Sequence, residues 1–129
     1  MQIQQPGIKY FIPAIIYFFI TLYLFTIPGK QLPSAEWLNF IYADKWVHMG
    51  LFCILQITWC WPYTQTSFTS LQLKKTFVSI ALVALLYGIV IEFVQKYYIP
   101  NRSFDGFDIV ADGLGAGFGC VFSIQVLIK

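Results

Sequence analysis

"NRSFDGFDIVADGLGAGFG", residues 101–119, decides how the rest of the chain is read. Its first half carries Arg102 and the aspartates Asp105, Asp108 and Asp112; its second half carries Gly113, Gly115, Gly117 and Gly119 and leads into an apolar tail. Positions 105, 108, 112, 115 and 119 advance by 3, 4, 3 and 4, so a helix through them shows one acidic and glycine stripe to a single neighbour. The glycines form two overlapping G-x-x-x-G pairs, 113/117 and 115/119, a spacing that lets a membrane helix approach another closely. They do not match G-x-G-x-x-G and no strand precedes them, so a dinucleotide loop is not expected.

Outward from this stretch the chain is greasy. Of 129 residues 58% are hydrophobic, 19% aromatic and 11% charged, with a mean hydropathy of +0.69; a soluble domain carries roughly 25% charged residues. A membrane protein is the expectation. The formal charge of +2 comes from scattered basic residues, which excludes the clustered basic stripe of a nucleic-acid surface. Cys53 and Cys60 are seven residues apart on one apolar stretch and therefore roughly 10 Å apart along a helix, beyond disulfide reach. With Cys120 they read as small apolar filler.

Four apolar stretches, near 10–27, 46–63, 77–98 and 107–128, are each about long enough to cross a ~30 Å hydrocarbon core at 1.5 Å per residue. They lack the alternation of a barrel strand, so the expected fold is an all-α membrane protein: one domain over 1–129, a bundle of four transmembrane helices. The first stretch is longer than a signal-peptide core and lacks a small-x-small cleavage site, so it is expected to stay, with Pro13 in its first turn. Between the first two stretches, Ser34 as N-cap and Trp37, Leu38, Ile41 and Tyr42 near helical spacing suggest a short interfacial helix; an aromatic belt loop fits equally. The second connection, "YTQTSFTSLQLKK", reads as a polar loop whose Lys74 and Lys75 signal topology.

Helices alternating in direction bring the first and third connections to the same side. Asp44, Lys45 and His48 then open the second helix, Glu92, Gln95 and Lys96 close the third, and Arg102 to Asp112 lead into the fourth. Asp44 and His48, four apart, share a face, as do Glu92, Gln95 and Lys96. An ionised Asp at the bilayer centre costs about 2.5–3.5 kcal/mol even on the lenient insertion scale, so these groups belong near the interface with partners. Salt bridges locking the helices would be a purely structural use of them. Yet Asp44, Glu92, Asp105, Asp108 and Asp112 are five acids against the fixed cations Lys45, Lys96 and Arg102 plus a titratable His48. Crowded carboxylates in a low dielectric take up a proton, a cation or a donor, and each outcome makes a site. With Lys45 and Arg102 assigned to that site, Lys9, Lys74, Lys75 and Lys129 outweigh Lys30 and Lys96, so both termini are expected in the cytoplasm and the polar end outside it.

Taken together, "DKWVHMGLF" (44–52), Glu92-x-x-Gln95, Arg102-Ser103-x-Asp105-x-x-Asp108 and Gly115-Ala116 resemble, in order and spacing, the VanZ-like family of small integral membrane proteins. The resemblance covers residues 44–119. It implies a multi-pass protein of the bacterial cell membrane and a link, through one family member, to low-level resistance to the glycopeptide teicoplanin. It carries over Asp44, Lys45, His48, Glu92, Gln95, Arg102, Ser103, Asp105 and Asp108 as site positions. At 112 the family more usually has Asn, whereas Asp112 adds a negative charge here.

Two uses of the site are expected, and a third is weaker. As an enzyme, Asp44, His48, Glu92, Asp105 and Asp108 are the catalytic candidates, with Glu92 or Asp108 as base and His48 as acid or base oriented by Asp44. Lys45, Gln95, Arg102, Ser103 and Asp112 are the binding candidates, Arg102 anchoring a phosphate or carboxylate of an envelope lipid or peptidoglycan precursor. As a binding protein, Lys45 and Arg102 would hold an anionic head group or part of a glycopeptide. Proton or ion transport needs polar residues to continue across the bilayer, and beyond Gln56, Thr58 and Ser79 few do. Neither G-x-S-x-G nor H-E-x-x-H occurs; no metal ligand set is assigned, and a divalent cation stays open as cofactor.

Overall fold

The computed structural model describes residues 5–28, 43–100 and 102–128, and these are helical with no strand among them. The expected interfacial helix lies outside the described residues. A 3-10 turn, Ile8–Phe11, runs into α1, Ile12–Phe25, with Pro13 in the first turn where a missing N–H costs nothing. Helix α2, Ala43–Cys60, passes into a 3-10 segment, Trp61–Gln65, at Pro62. Helix α3 spans Ser70–Tyr98 and α4 spans Gly106–Phe122, the latter ending in a π-helical turn, Ser123–Leu127.

Three of these segments, Ile8–Phe25, Ser70–Tyr98 and Gly106–Leu127, are long and apolar enough to cross a membrane. Ile16, Phe19, Val83, Leu86 and Phe118 point outward from them, a face that suits lipid and not water. Helix α2 has the same 18-residue length as the first segment but carries Asp44 and Lys45 in its first turn. It occupies the middle of the bundle and packs chiefly against α4.

The third helix starts earlier than the expected 77. Thr69 accepts from the Gln72 N–H (3.2 Å) while Gln72 Oε1 accepts from the Thr69 N–H (2.8 Å), a capping box that begins the helix at Ser70. Lys74 and Lys75 therefore sit in its opening turns and not in a loop. At the other end Ile99 turns extended ahead of Pro100, as a residue before proline must.

The G-x-x-x-G pairs divide in their roles. A Cβ on Gly119 would stand 2.6 Å from the Cys53 carbonyl oxygen and one on Gly115 would collide with the Met49 carbonyl, so this pair seats α4 directly on the α2 backbone. Gly117 has nothing within 4 Å and takes no part. Cys53, Cys60 and Cys120 are free, and Cys60 and Cys120 fill a core cluster with Leu73 and Phe77.

Helix directions alternate. Phe25 at the end of α1 packs against His48 near the start of α2, the rings tilted and 4.9 Å apart between centroids, and Lys45 reaches Asp105 before α4. At the opposite end Tyr10 and Phe11 meet Trp61, Trp59 and Tyr63.

Candidate functional site

The polar end is built in two layers. In the outer layer Lys45 Nζ lies 2.5 Å from Asp44 Oδ2, 2.6 Å from Asp105 Oδ2 and 2.8 Å from Asp108 Oδ1. Asp105 is also the N-cap of α4, accepting from the Phe107 N–H at 2.9 Å, while its own N–H donates to Glu92 Oε2 at 3.0 Å. The Lys45 ammonium beside it holds the Asp105 carboxyl below its ordinary range.

The inner layer is buried. His48 Nδ1 donates to Asp112 Oδ1 at 2.8 Å, which fixes the ring and turns Nε2 toward Asp108 Oδ2, 3.7 Å away. His48, Glu92, Asp108 and Asp112 are respectively 5%, 0%, 8% and 0% exposed, so their charges must be met inside the protein. Glu92 Oε1 and Asp112 Oδ2 have no hydrogen-bond partner among the described residues. Phe25 covers the imidazole. Gly88 makes the seat for Asp112: a Cβ there would come within 2.6 Å of Asp112 Oδ2.

Several expected residues meet here, with altered partners. Asp44 does not orient His48. It is 60% exposed at its side chain and bonds Lys45, because the imidazole is rotated toward α4, where Asp112 takes the orienting position. Arg102 was expected to anchor an anion. Instead its Nε donates to the Ile27 carbonyl (3.1 Å) and Nη2 to those of Leu24 (3.2 Å) and Phe25 (3.4 Å), satisfying the end of α1. Gln95 does likewise, donating to the Phe25 carbonyl at 2.9 Å. Ser103 is exposed. Lys96 points outward over the Tyr97 ring at 5.0 Å. Of the three cations counted against the five acids, only Lys45 forms an ion pair with them among the described residues.

Gly88 and Phe25 were not foreseen as site residues. An isolated glycine inside an apolar helix costs about 1 kcal/mol against Ala and so marks a packing demand, but the sequence gives no hint that an aspartate is what packs there.

Deeper in the bundle lies a cavity of about 330 Å³ lined mainly by apolar side chains, among them Phe18, Leu55, Trp59, Val83 and Tyr87. None of the acids lines it. Tyr87 connects the two regions: it stacks with Phe52 beside Phe25, and its hydroxyl bonds Thr21 Oγ1 at 3.1 Å. Further along, Gln56 donates to the Phe77 carbonyl, Thr58 to Leu55 and Ser79 to Lys75, while Gln56 Oε1 is buried without a partner among the described residues. Searches of family models, of curated proteins and of solved structures find no match to this chain.

Proposed function

We propose that this chain is a four-span protein of the bacterial cell membrane, of the VanZ-like kind, that acts on a cell-envelope component by proton transfer at the His48, Glu92, Asp108 and Asp112 cluster. One observation carries the reading: buried carboxylates from α3 and α4 surround a carboxylate-held imidazole from α2, and Lys45 is the one cation paired with any of them among the described residues. Such a set takes up and returns protons. Asp105 and Asp44, the more exposed members of the outer layer, form the rim through which a hydroxyl or water of the substrate reaches Asp108 and Glu92. Hydrolysis of, or group transfer on, an envelope lipid or peptidoglycan precursor is the chemistry this supports.

Pure binding of an anionic head group has less behind it, since Arg102 is occupied by three carbonyls and Lys45 by three carboxylates. Transport has less again, because Gln56, Thr58 and Ser79 bond the backbone and extend no polar path. The apolar cavity beside Tyr87 has the lining a hydrocarbon tail needs, which favours a lipid-linked substrate over a free peptide. For topology, Lys45 and Arg102 are held by the site and the α1 end, and the weight of Lys9, Lys74 and Lys75 at the opposite end supports a reading with that end, and both termini, in the cytoplasm.

The test is teicoplanin susceptibility of a bacterial host making the full chain. Wild type is expected to raise the tolerated concentration modestly, and Glu92→Gln and His48→Ala to abolish the gain while the protein stays in the membrane at normal amount. Unchanged resistance in both variants rejects the reading.

A further inference from the structure

The inner layer has a feature that proton transfer alone does not require. Each of three residues has one polar atom tied down and another left over. His48 Nδ1 is held by Asp112 Oδ1, leaving Nε2; Glu92 Oε2 accepts from the Asp105 N–H, leaving the buried and unpartnered Oε1; Asp108 Oδ1 is paired with Lys45, leaving Oδ2. One ligand atom from each of His48, Glu92 and Asp108 lies within 4.8 Å of the others, and His48 Nε2 is 3.7 Å from Asp108 Oδ2. Ligands at about 2.0–2.2 Å from a tetrahedral Zn²⁺ are separated by roughly 3.4 Å, so small side-chain rotations bring this set to bonding distance.

We propose that His48, Glu92 and Asp108 bind one divalent transition-metal ion, Zn²⁺ by ligand type, with Asp112 holding the imidazole from behind. A carboxylate on the far nitrogen of a ligating histidine is the usual outer-shell arrangement and makes the other nitrogen the better ligand. The imidazole nitrogen in the set favours Zn²⁺ over Mg²⁺ and Ca²⁺, which prefer all-oxygen shells, and with three protein ligands the fourth position of Zn²⁺ would take a water. A cation there also gives the fully buried Glu92 a directly bonded counter-charge, since Arg102 bonds the α1 carbonyls and Lys96 points outward. The neighbouring group of Asp44, Asp105 and Asp108 is a different case, since the Lys45 ammonium already sits among its oxygens.

This inference rests on the site of the function proposed above and deepens it by one change, that activation of a metal-held water would replace direct proton transfer by the three ligands, yet its test needs no substrate. Full-length protein purified in detergent is stripped with chelator, loaded with Zn²⁺, desalted and assayed for metal per chain and for affinity by competition with a chromophoric chelator. Wild type should retain one Zn²⁺, His48→Ala and Glu92→Gln less than a tenth of that, and Lys96→Gln as much as wild type. Asp112→Asn, a positioning change, should weaken affinity about 10- to 100-fold. Helix content by circular dichroism accompanies each variant, and the wild-type stoichiometry stands independently of whether any variant folds. Wild type retaining no Zn²⁺, or losing none through His48→Ala and Glu92→Gln together, overturns the site. If wild type retains none while both variants lose resistance, the proton-transfer reading survives without the metal. If Zn²⁺ binds but resistance ignores both variants, the metal site stands and the proposed function falls.

Discussion

Gly88 and Asp112 set the terms at the residue scale. Alanine normally stabilises a helix over glycine by about 1 kcal/mol, but at 88 the added Cβ would press within 2.6 Å of Asp112 Oδ2 and push the carboxylate off His48. On the proposed function and metal site, Gly88→Ala is therefore expected to cost resistance and Zn²⁺ retention, whereas Gly50→Ala, with nothing within 4 Å, should leave both intact and raise stability by about 0.5–1 kcal/mol. Thermal unfolding in detergent beside the susceptibility assay separates the two. Arg102 makes a second case. Since it serves the α1 carbonyls, Arg102→Ala should destabilise the protein by about 1 kcal/mol, the cost of half-buried acceptors left unpaired. Arg102→Lys should restore little of that, for a single ammonium cannot reproduce the fork. Asp105 adds a pH dependence: its carboxyl lies below the ordinary value of 3.8, so its contribution is full above that pH and fades as pH falls through the lowered value. Asp105→Asn should remove that part of the acid sensitivity, as acid titration followed by circular dichroism would register. Only the glycine's cost and the arginine's charge are visible in the sequence; the partner of each is not.

Among the elements, α4 and α3 show what local sequence specifies well and badly. The stripe Asp108, Asp112, Gly115, Gly119 is buried along one face of α4, as its 4, 3 and 4 spacing requires, and Asp105 stands just before it as N-cap. That face follows from helix periodicity alone. The 115/119 pair lies on that same stripe, so periodicity also separates it from 113/117; that the stripe meets the α2 backbone at Met49 and Cys53 is decided by the rotation of α4 against α2. Gly119→Val should therefore disrupt α4 packing and lower the unfolding temperature, while Gly117→Val should be tolerated; comparison of the two melting curves decides it. The early start of α3 was legible in Thr69-x-x-Gln72, but the polar composition around it reads as a loop when hydropathy is weighed above capping. Thr69→Ala should cost about 1 kcal/mol, measured by the same unfolding assay, and leave the polar end of the molecule unaffected.

At the scale of the whole molecule, the four alternating helices of the described residues gather the ends of α1 and α3 and the starts of α2 and α4, so His48 and Asp112, 64 positions apart in sequence, share one buried cluster. Ser67 and Ser103 lie toward opposite ends of the bundle. Cysteines placed at the two positions should accordingly react with an impermeant reagent from opposite faces of the membrane, and on the proposed topology Ser103→Cys from outside the cell. Labelling of both from one face would remove the spanning arrangement. The amino-acid sequence by itself determined that the chain is helical and apolar, where prolines end or open its helices, and that acids and a histidine crowd one end, since hydropathy, periodicity and backbone sterics act within a few residues. Only the tertiary structure decided that Lys45 answers the acids while Arg102 closes α1 and Lys96 turns away. It also decided that Asp112, not Asp44, holds His48. An ion pair depends on distances of a few ångströms between side chains on different helices, and those are fixed by how the helices rotate and pack, which no single stretch of sequence encodes.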